Sequence, residues 1–175
     1  MSEKSAFIRR VIGITGKKGH GKDTLCNALQ QIAGDKVDRV AFGDALKREV
    51  AELLGITVDD INADKPRFRL MLQFYGTEWR RHQDPEYWIK RLRETIAGLP
   101  AFCIAVVTDV RFANEAALIE ELGGFTVRVT AWKRYPDDSD NHSSETELDN
   151  NLYREVTNDG SPEDLLEQAR FLLIP

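Results

Sequence analysis

A chain of 175 residues that is 42% hydrophobic and 30% charged has enough apolar material for one globular domain with a real core, which excludes a disordered chain. Its net charge of −5 argues against binding to nucleic-acid polymers, and no apolar run approaches the ~20 residues that a membrane-spanning helix needs. The first residues, Met-Ser-Glu-Lys-Ser-Ala, lack the apolar core of a secretory signal, and Cys26 and Cys103 stand at no metal-ligand spacing, so two reduced cysteines in a cytoplasmic protein are expected.

Residues 7–14 form a near-continuous apolar run, the mark of a buried parallel strand. After it comes Gly16-Lys17-Lys18-Gly19-His20-Gly21-Lys22-Asp23-Thr24, and a helical pattern runs from Lys22 to near Gly34. Residues 37–42 alternate as a second strand. Asp44 offers a cap for a helix over 45–54 that Gly55 stops. Residues 59–64 read as a short helical turn or loop closed by Lys65-Pro66. Over 67–81 the apolar residues Phe68, Met71, Leu72 and Tyr75 recur at helical spacing, and Gly76 marks a kink, a helix end or a close backbone approach. A helix over 86–97 is stopped by Gly98 and Pro100. The strongest strand, 101–108, ends on Asp109-Val110-Arg111. A helix over 114–122, a strand over 125–132, a polar acidic loop over 133–145, a short strand over 153–157 and a helix over 162–173 complete the chain. This alternation predicts an α/β fold, a parallel sheet of about five strands with helices on both faces and ligands at the carboxyl ends of the strands.

Strand, glycine-rich turn and helix in that order form the context of a phosphate cradle. Gly16, Gly19 and Gly21 let the backbone curl so that N–H groups point at an anion, the helix N-terminus adds partial positive charge, and Lys22 can reach terminal phosphates. The general pattern wants a hydroxyl after the lysine, yet Asp23 stands there and Thr24 follows. A carboxylate this close to nucleotide phosphates calls for a cation, so Mg²⁺ held partly by Asp23 or Thr24 is expected. Asp109, at the end of an apolar strand, is placed to serve the same ion, although an Asp there also suits a plain turn. Arg111 can hold a substrate phosphate or neutralise a transferring phosphoryl group; its simpler use is a salt bridge to Asp109 or Glu115. Between residues 65 and 93 eight Lys or Arg face three acids, whereas from Tyr135 onward two basic residues face eleven acids. A basic middle beside a phosphate loop suggests a second anionic ligand, while any single cation there is as well explained by a solvated helix face.

These residues resemble a known family. The loop with its Gly21-Lys22-Asp23-Thr24, the run Asp109-Val110-Arg111-Phe112 with Asn114 and Glu115, and Gln73 with Gly76-Thr77-Glu78 are similar to the deoxynucleoside monophosphate kinases of bacteriophages. The outline is also similar to animal-type phosphomevalonate kinase, which shares the Gly-Lys-Asp loop, an Asp-x-Arg after the central strand, and a stretch like Ser144-Glu145-Thr146-Glu147-Leu148-Asp149. The resemblance implies a three-layer P-loop kinase domain over 1–175, with a helical acceptor-binding insertion around 57–98 and a lid-like loop around 133–149. It implies ATP as co-substrate with Mg²⁺, and γ-phosphoryl transfer to a deoxynucleoside monophosphate. Lys22, Asp23 and Thr24 would hold ATP phosphates and metal, Asp109 the metal, and Arg134 ATP. Lys47, Arg69, Gln73, Gly76, Trp88, Arg111 and Glu115 would serve the acceptor. A phosphomevalonate-like acceptor is the nearest alternative; a nucleotide-binding switch is the other, and the Asn-Lys-x-Asp guanine reader it would need is absent. The expected partners are small-molecule nucleotides, and the sequence leaves the oligomeric state open, a homodimer included.

Overall fold

The computed structural model describes residues 10–133, 148 and 153–174. They divide into two compact units, residues 1–39 with 98–175, and residues 40–97.

Five strands make one sheet: β1 (Arg10–Thr15), β2 (Val37–Val40), β3 (Ile104–Val107), β4 (Phe125–Thr130) and β5 (Arg154–Thr157), in the order β2-β3-β1-β4-β5. β1 pairs in parallel with both β3 and β4, and β4 with β5. On one face of the sheet, Ile14, Val106, Val127, Val129 and Val156 pack against Leu25, Cys26, Ala28 and Leu29 of α1 (Lys22–Ala33). Leu165, Ala169 and Leu172 of the last helix join the same core. On the other face Ile119 of α6 (Ala113–Glu121) lies against Gly13 of β1, beside Thr126 of β4. The expected α/β sheet with helices on both faces is what forms. The last helix, α7 (Pro162–Leu173), starts in a capping box of Ser161 and Asp164. At its far end the Arg10 guanidinium donates to the carbonyls of Leu172, Leu173 and Ile174 at 2.5–2.8 Å, satisfying acceptors that a helix end leaves open.

The unit of residues 40–97 is helical: α2 (Phe42–Leu54), α3 (Val58–Ala63), α4 (Lys65–Gln73), a π-helix (Phe74–Arg81) and α5 (Tyr87–Ala97). Its core gathers Val50, Ala51 and Ile61 with Leu46, Phe68, Met71, Leu72 and Tyr75. Thr57 and Asp60 close a reciprocal cap on α3, with Asp60 N donating to Thr57 Oγ1 at 3.1 Å and Thr57 N to the Asp60 carboxylate at 2.8 Å.

Boundaries shift where side chains overrule local pattern. α2 begins at Phe42, so the second strand ends at Val40 and Asp44 sits in the first helical turn, where its charge suits the helix dipole, rather than capping it. β3 is shorter than its apolar run: residues 101–103 lie outside it and Phe102 is exposed. Residues 67–81 do not make one α-helix, since the coil widens to the π form after Gln73. Residues 7–9 of the first expected strand lie outside the described residues. No helix among the described residues is long and apolar enough to cross a membrane.

Burial in the core under α1 pushes the Cys26 thiol up to about 11, with smaller and opposed contributions from Arg39 and Asp23. The folded state therefore holds the proton that the unfolded chain releases near pH 9, so the stabilisation from this group is whole below pH 9 and is lost as pH rises through 11. In 5,5′-dithiobis(2-nitrobenzoate) titration at pH 8, Cys26 should stay unreacted until denaturant is added, and urea midpoints should fall more between pH 9 and 11 in the wild type than in Cys26→Ala.

Candidate active site

The glycine-rich loop leaves β1 at Thr15 and enters α1 at Lys22. Gly16 has φ +143°, and a Cβ there would lie 2.4 Å from the Val129 carbonyl oxygen; Gly21, the residue before α1, is left-handed at φ +98°. Side chains at either position would both strain the backbone and collide, which is why the curl needs glycine. The Lys22 ammonium donates to the carbonyls of Gly16 at 2.6 Å and Lys17 at 3.0 Å, so the lysine lies across the loop whose amides it serves. Asp23 is 80% exposed and its carboxylate stands 3.8 Å from Arg39 Nε. Thr24 is exposed one residue on, and its Oγ1 lies 3.3 Å from where a Gly21 Cβ would be.

The parallel register sets Gly13 beside Val107, so the residues after β3 emerge next to the loop. Val110 N donates to the Ile14 carbonyl at 3.1 Å and secures that placement, putting the Asp109 backbone alongside the start of the phosphate loop. Loop and aspartate, expected to share a site, are thus brought together. Arg111 lies half-buried at the end of the same segment. Glu115 has a different occupation from a pocket wall: it is 2% exposed, and Oε2 accepts from Arg111 N at 2.7 Å and Phe112 N at 3.2 Å. It caps α6 from inside and so holds the backbone from which Arg111 projects.

Among the described residues no three His, Cys, Asp or Glu side chains gather as a metal-ligand set. The donors present, the Thr24 hydroxyl and the carboxylates of Asp23 and Asp109, are hard oxygens. That set fits Mg²⁺, which keeps most of its waters and takes one or two carboxylates together with substrate phosphates.

Residues 40–97 hold the other expected positions. Arg69 and Gln73 are half-buried one turn apart on α4 and share a face. Lys47 Nζ donates to Asn62 Oδ1 at 2.9 Å. Gly76 is buried in the π-helix with Leu46 Cδ2 2.9 Å from where its Cβ would be, so a side chain rather than a backbone approaches it. Trp88 is 4% exposed, and its indole N–H donates to the Gly76 carbonyl at 2.9 Å, which makes it a buried strut of this unit. Sequence reasoning missed the hub beside them. Glu49 accepts from Tyr75 OH at 3.1 Å and Tyr87 OH at 2.6 Å and pairs with Arg80 at 3.2 Å and Arg91 at 3.7 Å. Arg80 lies over both tyrosine rings, at 5.3 and 4.7 Å from their centroids. Burial, with the Glu49 carboxylate adding to it, raises the Tyr75 phenol above its ordinary range and keeps it a donor. Also missed was Asn158, just beyond β5, whose side chain reaches the phosphate loop. Arg134, and the acidic stretch from Ser144 apart from Leu148, lie outside the described residues.

The phosphomevalonate kinase family model matches residues 14–124. A protein of Acanthamoeba polyphaga mimivirus named "Putative deoxynucleotide monophosphate kinase" is 30% identical over 167 residues, covering 79% of this chain and 81% of that protein. Among solved structures, one titled a "putative kinase" from Chloroflexus aurantiacus gives a TM-score of 0.49 at 16% identity, covering 95% of this chain and 96% of that one. A sugar kinase from Janibacter gives 0.42 at 14% identity, with 94% of each chain covered.

Glu115→Ala should leave one buried and one part-buried N–H group without this acceptor and lower stability by about 2 kcal/mol, while Glu115→Gln, which keeps an acceptor oxygen, should recover at least half of it. Urea unfolding of the three proteins measures both.

Proposed function

This chain belongs to the phosphomevalonate kinase family and is an ATP-dependent phosphotransferase, and we propose that its acceptor is a deoxynucleoside monophosphate, converted to the diphosphate as ATP becomes ADP. The observation that carries the acceptor is the mimivirus relative, which matches over four fifths of its own length and is named for that substrate class. Phosphoryl transfer asks a protein mainly for positioning and charge neutralisation. The loop amides between Gly16 and Gly21 take the ATP phosphates, and Lys22 moves from its own loop carbonyls to the terminal phosphate oxygens. Thr24, Asp23 and Asp109 would hold Mg²⁺, which would supply charge neutralisation to the phosphates. Arg111, its backbone fixed by Glu115, meets the phosphoryl group in transfer. In residues 40–97, Arg69 and Lys47 grip the acceptor phosphate, Gln73 reads the base edge, and Trp88 keeps the Gly76 backbone in place for it. Arg134, which lies outside the described residues, would serve ATP.

A phosphomevalonate-like acceptor is the second reading, favoured by the family model that spans residues 14–124. An acceptor screen with ATP and Mg²⁺ separates the two: turnover with at least one of the four deoxynucleoside monophosphates and none with phosphomevalonate is expected, and the reverse would overturn the proposal. Lys22→Ala should lower kcat by about 10²- to 10³-fold or more while circular dichroism shows an intact fold. Arg69→Ala should raise KM for the acceptor well above any change in KM for ATP; steady-state kinetics with each substrate varied in turn decides it.

A further inference from the structure

We infer that Asn158 is a positioning residue for the nucleotide, acting through the backbone of the phosphate loop; the inference rests on the kinase reading above. In a loop whose amides turn inward to an anion, the carbonyls turn outward, and a buried outward carbonyl needs a donor. For His20 that donor is Asn158, whose Nδ2 lies 3.1 Å from the His20 carbonyl oxygen. His20 O and Gly21 N–H belong to one trans peptide, so they point in opposite directions. A tether on the carbonyl therefore aims the Gly21 N–H into the loop. Gly21 also has no Cβ to displace the tether, for a Cβ there would stand 2.2 Å from Asn158 Nδ2.

Asn158 is itself held firmly. It is 9% exposed, and its own N–H donates to the Thr130 carbonyl at 2.7 Å, carrying the β4–β5 ladder one residue beyond the strand. Just before it, Thr157 is grasped at the sheet edge by Gln168 of α7, whose amide accepts from Thr157 N and donates to Thr157 O, both at 2.9 Å. Just after it, the Asp159 carboxylate accepts from Lys133 N at 3.0 Å. The His20 ring meets Trp132 edge-on at 4.7 Å, so the same peptide is steadied from its side chain as well. The end of β5 is thus a rigid mount, and the amide it carries sets the curl of residues 19–21.

The test uses Asn158→Asp, which keeps size and shape but sets an acceptor against the His20 carbonyl, alongside Asn158→Ala. Calorimetric titration with ATP and Mg²⁺, without acceptor, should show Kd raised about tenfold in Asn158→Ala and at least as much in Asn158→Asp. KM for ATP should rise by the same factors and KM for the acceptor stay within twofold. A role in filling space would rank Asn158→Asp beside the wild type and Asn158→Ala as the weaker; that order, or ATP binding within twofold of wild type in both, overturns the inference. Wild-type protein that binds no ATP would instead sink the kinase reading. Should Asn158→Asp fail to fold, the Asn158→Ala affinities and the split between the two KM values decide alone.

Discussion

Parallel pairing of β1 with β3 on one side and β4 on the other is the constraint from which the larger unit's site follows. Parallel strands send their carboxyl ends the same way, so whatever leaves β1, β3 and β5 leaves from one edge of the sheet. Backbone hydrogen bonds extend that order past the strand ends: Val110 N to Ile14 O beside the loop's start, Asn158 N to Thr130 O beside its end. The glycine-rich loop is thus slung between two fixed points. Those two fixed points are backbone bonds, so neither draws on the side chains of Lys22, Thr24, Asp109 or Arg111, which are proposed to meet a ligand. Glu115 shows the same division of labour, a buried carboxylate spent on two backbone amides so that Arg111 leaves its segment at a set point.

Residues 40–97 are organised on another principle. A π-helix is rare and occurs mostly as a single widened turn within an α-helix, so a longer run of it points to support from its surroundings. Here the holding is done by side chains. Tyr75 and Arg80, both on the π-helix, converge on the carboxylate of Glu49 from α2, together with Tyr87 and Arg91 from α5. A half-buried charge is tolerated when its lone pairs are filled, and Glu49 has two phenols and two guanidiniums to fill them. Trp88 completes the brace by taking the Gly76 carbonyl. This unit adds polar contacts of long sequence separation to its apolar core, whereas the sheet joins ladder bonds to its own.

That difference explains what could be read from the residues alone. The strand, glycine-rich turn and helix were legible because their glycines and apolar spacing are local, and local spacing is what a sequence displays. The sheet was legible for a related reason: strands of continuous Val and Ile separated by helix-length segments have few other ways to bury their faces. The π-helix was not, since Phe68, Met71, Leu72 and Tyr75 keep a helical spacing that shows no widening, and Glu49, which accepts from Tyr75 on it, lies 26 residues upstream. Trp88, which residue type alone would place in a core and which only the resemblance assigned to the acceptor, is buried with its N–H on the Gly76 carbonyl. Asn158 had no signal beyond standing after a short strand in Thr157-Asn158-Asp159-Gly160, which reads as a turn, because its partner His20 is 138 residues away.

Asp23, the residue that breaks the general loop pattern, now has a physical setting. Its carboxylate is exposed and leans toward Arg39 at the edge of the sheet, at a distance where a solvated pair contributes little stability. What the pair does contribute is charge balance: a guanidinium beside the carboxylate lessens the repulsion that bound phosphates would feel from it, so an acid is tolerable in the first turn of the helix that receives them. The same arrangement turns the carboxylate toward Arg39, while the hydroxyl of Thr24 stays beside Gly21. Both residues are exposed at the start of α1, so the two oxygens proposed to hold a metal ion stay open to solvent whichever way the carboxylate turns.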